Sequence, residues 1–464
     1  DPQHPVLVHG GDPTILTYGC EYDHALNRGN DWFYADELDG IGCSSFPKWH
    51  GLDDADFGMR VECVKSAARN KKIWLSEVQG GRSSFGFNVY PAVDAASQQR
   101  WIWNGLACGA DTILFWCWRD EVFGTESGGF GLSGRDGLAQ ERLDAMCKTG
   151  GILKDNATLF EHYKPFAGEV GIFFSPKSYY LCWGQEGNSL RMINAMMGYA
   201  RSLVRNSIPY RFVEEEHLEE LAGLKILFMP RTLVLDAKAE EAIGQFVRNG
   251  GTLVCESECG AFNSAGIYRY PEDRFVSTLT GISELGRRSL LKESISVDVN
   301  GSKLELPANQ WLTPYEIGKG KVLAETCDGP AIVEQCVGRG RVVMCGTYFG
   351  NGYYGDRREG FESFVSHLVG QSCGEPDIRV TSPTKTKEGF VYVKSGLSRG
   401  RRMVFVFFPQ GADEVHMEFS RDFFQQDTLV DIFSGNTFRL KNSAAGKSCV
   451  LRSSALNLAI LIEK

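Results

Sequence analysis

Ile73-Trp74-Leu75-Ser76-Glu77-Val78-Gln79-Gly80-Gly81 is a short apolar run that ends on a carboxylate, an amide and two glycines. A run of this length bounded by turn residues reads as a strand buried in a parallel sheet. Three similar runs accompany it: Pro5 to His9, Gly40 to Phe46 and Thr112 to Trp118. Between the second and third, Asp53 to Asn70 repeats Met59, Cys63, Val64 and Ala67 at helical spacing. Between the third and fourth, Val93 to Gly109 does the same with Ala96, Trp103 and Ala107, and Gly109 is the stop signal. Successive βα units imply a doubly wound sheet or part of a (β/α)8 barrel. The strand ends favour the barrel. His9, then Phe46 and Trp49, then Glu77 and Gln79, then Trp118 and Arg119 gather where barrel strands converge on one mouth. Gly10-Gly11-Asp12-Pro13 lacks the spacing of a dinucleotide-binding turn.

The whole chain has 464 residues, enough for two to four domains, and three is the working number. With 43% hydrophobic and 23% charged residues it has the composition of a soluble globular protein. The net charge of -9 opposes phosphate backbones and anionic lipid, so no nucleic-acid or membrane partner is expected and a neutral substrate fits better. The 14 cysteines are scattered rather than set in a dense framework, which points to reduced thiols and a cytoplasmic protein. Cys255 and Cys259 are spaced C-x3-C, but no second pair or His cluster joins them, so they read as buried small hydrophobes and neither metal nor cofactor is expected. No apolar run is long enough to span a bilayer. The chain starts at Asp1 rather than Met, and the expectation is that it is part of a longer protein.

A second α/β pattern begins near Glu169. Val170 to Phe174, Lys225 to Met229, Thr252 to Glu256 and Arg341 to Cys345 read as strands, and Leu190 to Asn206, Ala237 to Asn249 and Gly360 to Val369 as helices. Arg274 to Glu334 looks β-rich and irregular. From Pro376 onward, alternating segments such as Phe390 to Lys394, Met403 to Phe408 and Leu456 to Ile462 read as an antiparallel β domain.

Hydrolysis of a glycosidic bond with retention needs two carboxyl groups about 5 Å apart, one to attack the anomeric carbon and one to protonate the leaving oxygen. Glu77 suits the attacking role: it ends a strand, and Gly80-Gly81 remove side chains that would crowd a sugar. A Glu at a strand end is also structurally ordinary. Sugars pack their C–H faces on aromatic rings and need polar partners for their hydroxyls. Trp116, Trp118 and Arg119 after the fourth strand supply rings and a guanidinium, although such Trp residues also fill barrel layers, and Arg119 has Asp120, Glu121 and Asp136 as candidate ion-pair partners. Glu126 lies in a glycine-rich loop able to bend over the mouth. Trp49 and Gln79 complete the candidate substrate contacts.

Leu75-Ser76-Glu77-Val78-Gln79-Gly80-Gly81 resembles the nucleophile strand of the family 42 β-galactosidases. Gly109-Ala110-Asp111-Thr112-Ile113-Leu114-Phe115-Trp116-Cys117-Trp118-Arg119 is similar to that family's last barrel strand, and Gly124-Thr125-Glu126 and Arg135-Asp136-Gly137 resemble the loop after it. Asp1-Pro2-Gln3-His4-Pro5-Val6 and Glu37-Leu38-Asp39-Gly40-Ile41 are similar to its fifth and sixth strand regions, and Ile226 to Gly251 to its trimerisation domain. The resemblance implies that residues 1–165 are strands five to eight, the C-terminal half of a (β/α)8 TIM barrel. It further implies that 166–373 form an amidotransferase-like α/β trimerisation domain and 374–464 a small antiparallel β-sandwich. It implies a retaining exo-β-glycosidase, β-galactosidase-like, with a glycoside substrate, no cofactor and a homotrimeric assembly.

Two departures stand against the family pattern. Gly129 occupies the position where a His that helps grip galactose is expected. The family's acid/base, the Glu of an Asn-Glu pair after strand four, has no counterpart, because no Asn-Glu dipeptide occurs in the chain. The acid/base is therefore expected upstream of Asp1, with Glu21 and Glu121 as weak substitutes whose ordinary reading is a solvated loop charge. The competing reading is a non-catalytic carbohydrate-binding or scaffolding protein that has lost the acid/base half of the barrel. In the middle domain Cys255 lacks the glycine-flanked turn of an amidotransferase nucleophile, so an oligomer-forming role is expected there.

Overall fold

The computed structural model describes residues 4–16, 29–386, 389–454 and 456–464. Leu7–His9, Gly40–Ser45, Lys72–Gln79 and Thr112–Trp116 are strands, paired in that order and all parallel. The helices at the crossovers start where acidic caps place them. Asp54–Ala68 opens on a capping box between Asp53 and Asp56, and Ala95–Ala107 on the Asp94 carboxylate, which accepts from the Ser97 N–H. Each cap satisfies N–H groups that the first turn leaves without partners. Gly109 adopts a φ of 98° just past the second helix, a conformation that a β-carbon disfavours.

These helices cover one face of the sheet. Ile41, Cys43, Ile73, Leu75 and Val78 share a core with Phe57, Val61, Val64 and Trp101, and Ile113 and Phe115 pack against it. Alternation therefore turns Gly42, Ser44, Ser76, Leu114 and Trp116 to the other face. There the two edge strands are incompletely covered, and Leu114 and Trp116 are 45% and 37% exposed. The helix Ala139–Asp155, with Gly150 and Gly151 in its body, was not anticipated from periodicity.

The middle of the chain builds a seven-stranded sheet. Its order is Lys321–Thr326, Gly329–Val337, Gly340–Cys345, Thr252–Cys255, Ile226–Met229, Val170–Phe174 and Arg211–Glu214; the last five are parallel and the first two antiparallel. Leu227, Leu253, Val342 and Met344 meet Ile243 and Val247 of the helix Ala237–Arg248 in one core, which also holds Cys255 and Cys259. Those two thiols sit in the apolar interior, as the small-hydrophobe reading expects. Arg211–Glu214 and the helix Pro176–Glu186 were not anticipated.

The C-terminal residues form two antiparallel sheets that bury a common core, with Val393, Val404 and Val406 of one against Val415, Met417 and Leu451 of the other. Tyr163–Pro165 adds an edge strand to the first of these by pairing with Tyr392–Ser398. Lys394 reaches back to the buried Glu62, which also pairs with Lys65 at 2.6 Å. The chain accordingly divides into two compact units, Asp1–Thr14 with Asn30–Phe166 and Asp377–Lys464, and Ile15–Gly29 with Ala167–Pro376. Among the described residues no helix is long and apolar enough to cross a membrane.

Candidate active site

Glu77 owes its position to a break in strand alternation. Leu75 and Val78, three residues apart, both enter the helix-side core, which strict alternation forbids. The register jumps here: Cys43 pairs with Leu75 but Ser44 with Glu77, leaving Ser76 as an extra residue. A bulge of this kind re-aims side chains, and it sends both Ser76 and Glu77 to the face opposite these helices. The sequence signal was two polar residues between apolar ones at an odd spacing.

On that face three strand ends meet. The Ser44 hydroxyl donates to Glu77 Oε2 at 2.5 Å, His9 Nε2 lies 3.5 Å from the same oxygen and 3.2 Å from Ser44 Oγ, and His9 Nδ1 is 2.7 Å from Ser76 Oγ. The hydrogen bond from His9 holds the Glu77 carboxyl below its ordinary range; partial burial opposes this and the Ser44 hydroxyl reinforces it. Glu77 is thus kept ionised while part of its carboxylate still reaches solvent. Arg60, buried beneath, pairs with Asp12 and reaches the Ser44 carbonyl at 3.4 Å, which ties the loop after the first strand to the end of the second. His9 was visible in the sequence as a strand-end residue; Ser44 and Ser76 were not singled out, because a serine in a strand carries no signal until its neighbours across the sheet are known.

The other candidate residues fall into separate groups. Trp116 Nε1 donates to Glu126 at 3.2 Å, so the glycine-rich loop is fastened to the fourth strand's end. The loop is held also by the turn at 82–86: Gly86 N–H donates to the Thr125 carbonyl and Arg82 to that of Gly128. Trp118 is 65% exposed. Arg119 is exposed and makes no ion pair among the described residues, whereas Asp136 pairs with Arg142 and Asp120 accepts from the N–H groups of Gly131 and Arg135. Trp49 packs among Phe46, Phe85, Tyr90 and Phe130 at ring separations of 5.5 to 6.0 Å. Gln79 is fully buried. Its carbonyl oxygen accepts the N–H groups of Lys48 and Trp49, and its amide nitrogen donates to the Gly81 carbonyl and the Ser83 hydroxyl, so it anchors the turn that carries Trp49.

Two details correct the sequence reading. Gly80 and Gly81 do not clear space for a sugar. A β-carbon on Gly80 would sit 2.7 Å from the Phe130 carbonyl oxygen, and one on Gly81 2.2 Å from that of Gly131, so both are glycine because two loops approach backbone to backbone. At Gly129 an added β-carbon would lie 2.7 Å from Ser84 Cβ, which leaves no room for the expected His without a shift of the backbone. Glu121 is partly buried and bridges to Ser127; Glu21 lies outside the described residues.

Comparison with known proteins bears on the family and the fold. A family profile described as "Beta-galactosidase" matches residues 18–155, and one described as "Beta-galactosidase trimerisation domain" matches 168–372. The β-galactosidase BgaB of Geobacillus sp. (strain Y412MC61) is 24% identical over 295 residues, 58% of this chain and 40% of that protein. GalA of Bacillus licheniformis, also a β-galactosidase, is 21% identical over 246 residues, 50% of this chain and 35% of that protein. Among solved structures, the β-galactosidase of Bacillus circulans sp. alkalophilus superposes with a TM-score of 0.77 at 15% identity, covering all of this chain and 64% of that one. A catalytic mutant of Gan42B from G. stearothermophilus gives 0.76 at 17%, with the same coverage. The chain spans less than half the length of the curated relatives it matches. It belongs to glycoside hydrolase family 42, and its α/β fold is similar to that of the solved β-galactosidases.

Proposed function

We propose that Glu77 is the nucleophile of a retaining exo-β-glycosidase, β-galactosidase-like, acting by double displacement. The observation that carries this reading is the bulge that sets Glu77 on the open face beside His9 and Ser44, ionised and partly exposed. His9 and Ser44 both engage Oε2, which leaves Oε1 without a partner among the described residues and available to attack the anomeric carbon. The bond to the departing oxygen breaks as a glycosyl ester forms on Oε1, and water then displaces Glu77. No carboxylate among the described residues joins the Glu77 cluster through a hydrogen bond, so the proton donor is assigned to polypeptide that completes the barrel around these four strands. Trp118, Arg119, Trp49 and the Trp116–Glu126 pair are proposed as substrate contacts. Gln79 is proposed to act through the turn it anchors.

The same reading takes residues 1–165 as strands five to eight of the catalytic barrel, 166–373 as the trimerisation domain of a homotrimer and 374–464 as a β-sandwich, in a cytoplasmic enzyme. The match of the trimerisation profile supports the assembly, and the free thiols of the described cysteines support the compartment. A fluorinated glycoside that traps the glycosyl ester tests the central claim in the whole enzyme. Peptide mapping is expected to find the label on Glu77, and a label on another carboxylate would overturn the assignment.

A further inference from the structure

The seven-stranded sheet has a set of strand ends with no part in the reading above. The chain runs from Val170–Phe174 outward to Arg211–Glu214, then returns to the opposite side of the first strand as Ile226–Met229. Such a reversal opens a crevice beyond the carboxyl ends of the two strands, the usual place for a ligand in an open α/β sheet. A cleft of about 690 Å³ lies there, between the helix Pro176–Glu186 and residues that include Arg231, Phe262, Tyr268, Arg287, Gln310 and Trp311. Its volume is in the range of small-molecule sites.

The cleft is built from constrained parts. Arg231 is 2% exposed; its two terminal nitrogens reach Gln310 and Glu186, yet its Nε has no hydrogen-bond partner among the described residues. The fully buried Tyr348, whose ring centroid lies 4.6 Å from that guanidinium, also has an unpartnered hydroxyl. Arg231, Gln310 and Glu258, which grips Arg287, all hold positive φ, at 42°, 70° and 58°. Non-glycine residues in this region are strained, and such strain collects at functional sites.

The lining selects the ligand. The two guanidiniums that line the cleft are each bonded to a carboxylate: Arg287 meets Glu258 through two hydrogen bonds of 2.9 and 2.7 Å, and Arg231 meets Glu186 at 2.8 Å, on an oxygen that Arg191 shares at 2.9 Å. An anion would have to displace one of these bonds. What the cleft offers is polarised N–H donors, amide and carboxylate acceptors, and rings whose pose is fixed, with Arg287 over Trp311 and Arg274 over Tyr268. Donors and acceptors interleaved with flat apolar faces suit a molecule with many hydroxyls on a carbon ring. We propose that this cleft binds a neutral saccharide of one or two rings, at a site separate from Glu77 and whatever the role of Glu77.

Lactose is the probe, titrated into the chain carrying Glu77→Gln and followed by calorimetry and amide hydrogen exchange. Lactose is expected to slow exchange around 181–186, 262–268 and 310–311. Tyr268→Ala, at an exposed ring, and Gln310→Gly, which suits the positive φ, are each expected to weaken binding about tenfold in a protein that still unfolds cooperatively, with a lowered midpoint because each removes a partner of a buried charged group. Protection confined to the neighbourhood of residue 77, binding indifferent to both variants, or protection of the cleft by phosphate but not by lactose would each overturn the proposal.

Discussion

The four-stranded and seven-stranded sheets both carry helices at their crossovers, yet they are finished differently. In the second, Val170–Phe174, Ile226–Met229 and Thr252–Cys255 are buried along their whole length. In the first only Gly40–Ser45 is, and the face away from the helices presents Gly42, Ser44 and Ser76 with the half-buried Trp74 in the middle and exposed Leu114 and Trp116 at the edge. Two carboxylates that follow this contrast titrate in opposite directions. Glu77, on the open face, is pulled below the ordinary range by donors from His9 and Ser44. Glu256, just past the strand Thr252–Cys255, accepts from Gly350, Arg231 and Tyr199, but burial dominates and lifts it to about 7. The lesson is that a strand end is poised for anionic chemistry when water still reaches it and donors converge on it; complete burial outweighs the same kind of hydrogen bonds.

The largest expected effect is at Glu77. Glu77→Gln in the whole enzyme is expected to lower kcat for an aryl β-galactoside by about 10⁴-fold or more, as loss of a nucleophile does; near-normal turnover would remove Glu77 from the chemistry. Next comes the difference in covering between the two sheets. Leu227→Ala, in the buried sheet, is expected to cost about 2–5 kcal/mol in urea unfolding, and Leu114→Ala in this chain less than about 0.5 kcal/mol. Equal costs would mean that the open face is covered in solution.

The contrast in titration predicts opposite pH effects. The folded state keeps the Glu256 proton up to about pH 7, whereas an unfolded glutamate loses it near 4.5. Between those values the folded state binds more protons, so this group's contribution falls as pH rises. Unfolding midpoints measured from pH 5 to 8 are expected to show a shallower decline in Glu256→Gln than in the parent; an unchanged slope would mean that Glu256 ionises normally. Glu77 has the reverse sign: its stabilising contribution is present above the unfolded value and lost as pH falls through the folded one. The smallest effect expected is at Ser44. Ser44→Ala removes one donor, so the acidic limb of kcat/KM is expected to move to higher pH, and His9→Ala, which removes the larger influence, is expected to move it further. An acidic limb that stays in place in both variants would separate these residues from the ionisation of Glu77.

Much of the fold was legible in short-range pattern. The four runs around Ile73 to Glu77 became strands, and the helix read between Asp53 and Asn70 forms as Asp54–Ala68. Ala139–Asp155 and Arg211–Glu214 escaped, the first because two glycines interrupt its apolar spacing and the second because only Phe212 and Val213 are apolar in it, between two charged residues. The separation of 374–464 from the first lobe was read from a change of pattern. The strand Tyr163–Pro165 and the Lys394–Glu62 pair put both in one compact unit, through contacts far apart in sequence.

By itself the sequence singled out Glu77 as the candidate carboxylate, the strand that bears it and the family whose pattern it follows, because apolar runs and motif spacing are local properties. Only the tertiary structure decided that Glu77 leaves the core through a bulge and that His9 and Ser44 hold it ionised. It also decided that Gly80 and Gly81 serve backbone contact rather than sugar access, and that Gln79 anchors a turn. Each of these depends on what lies across the sheet or beyond a loop, and side-chain direction, proton affinity and close packing are set by such neighbours, not by adjacent residues in the chain.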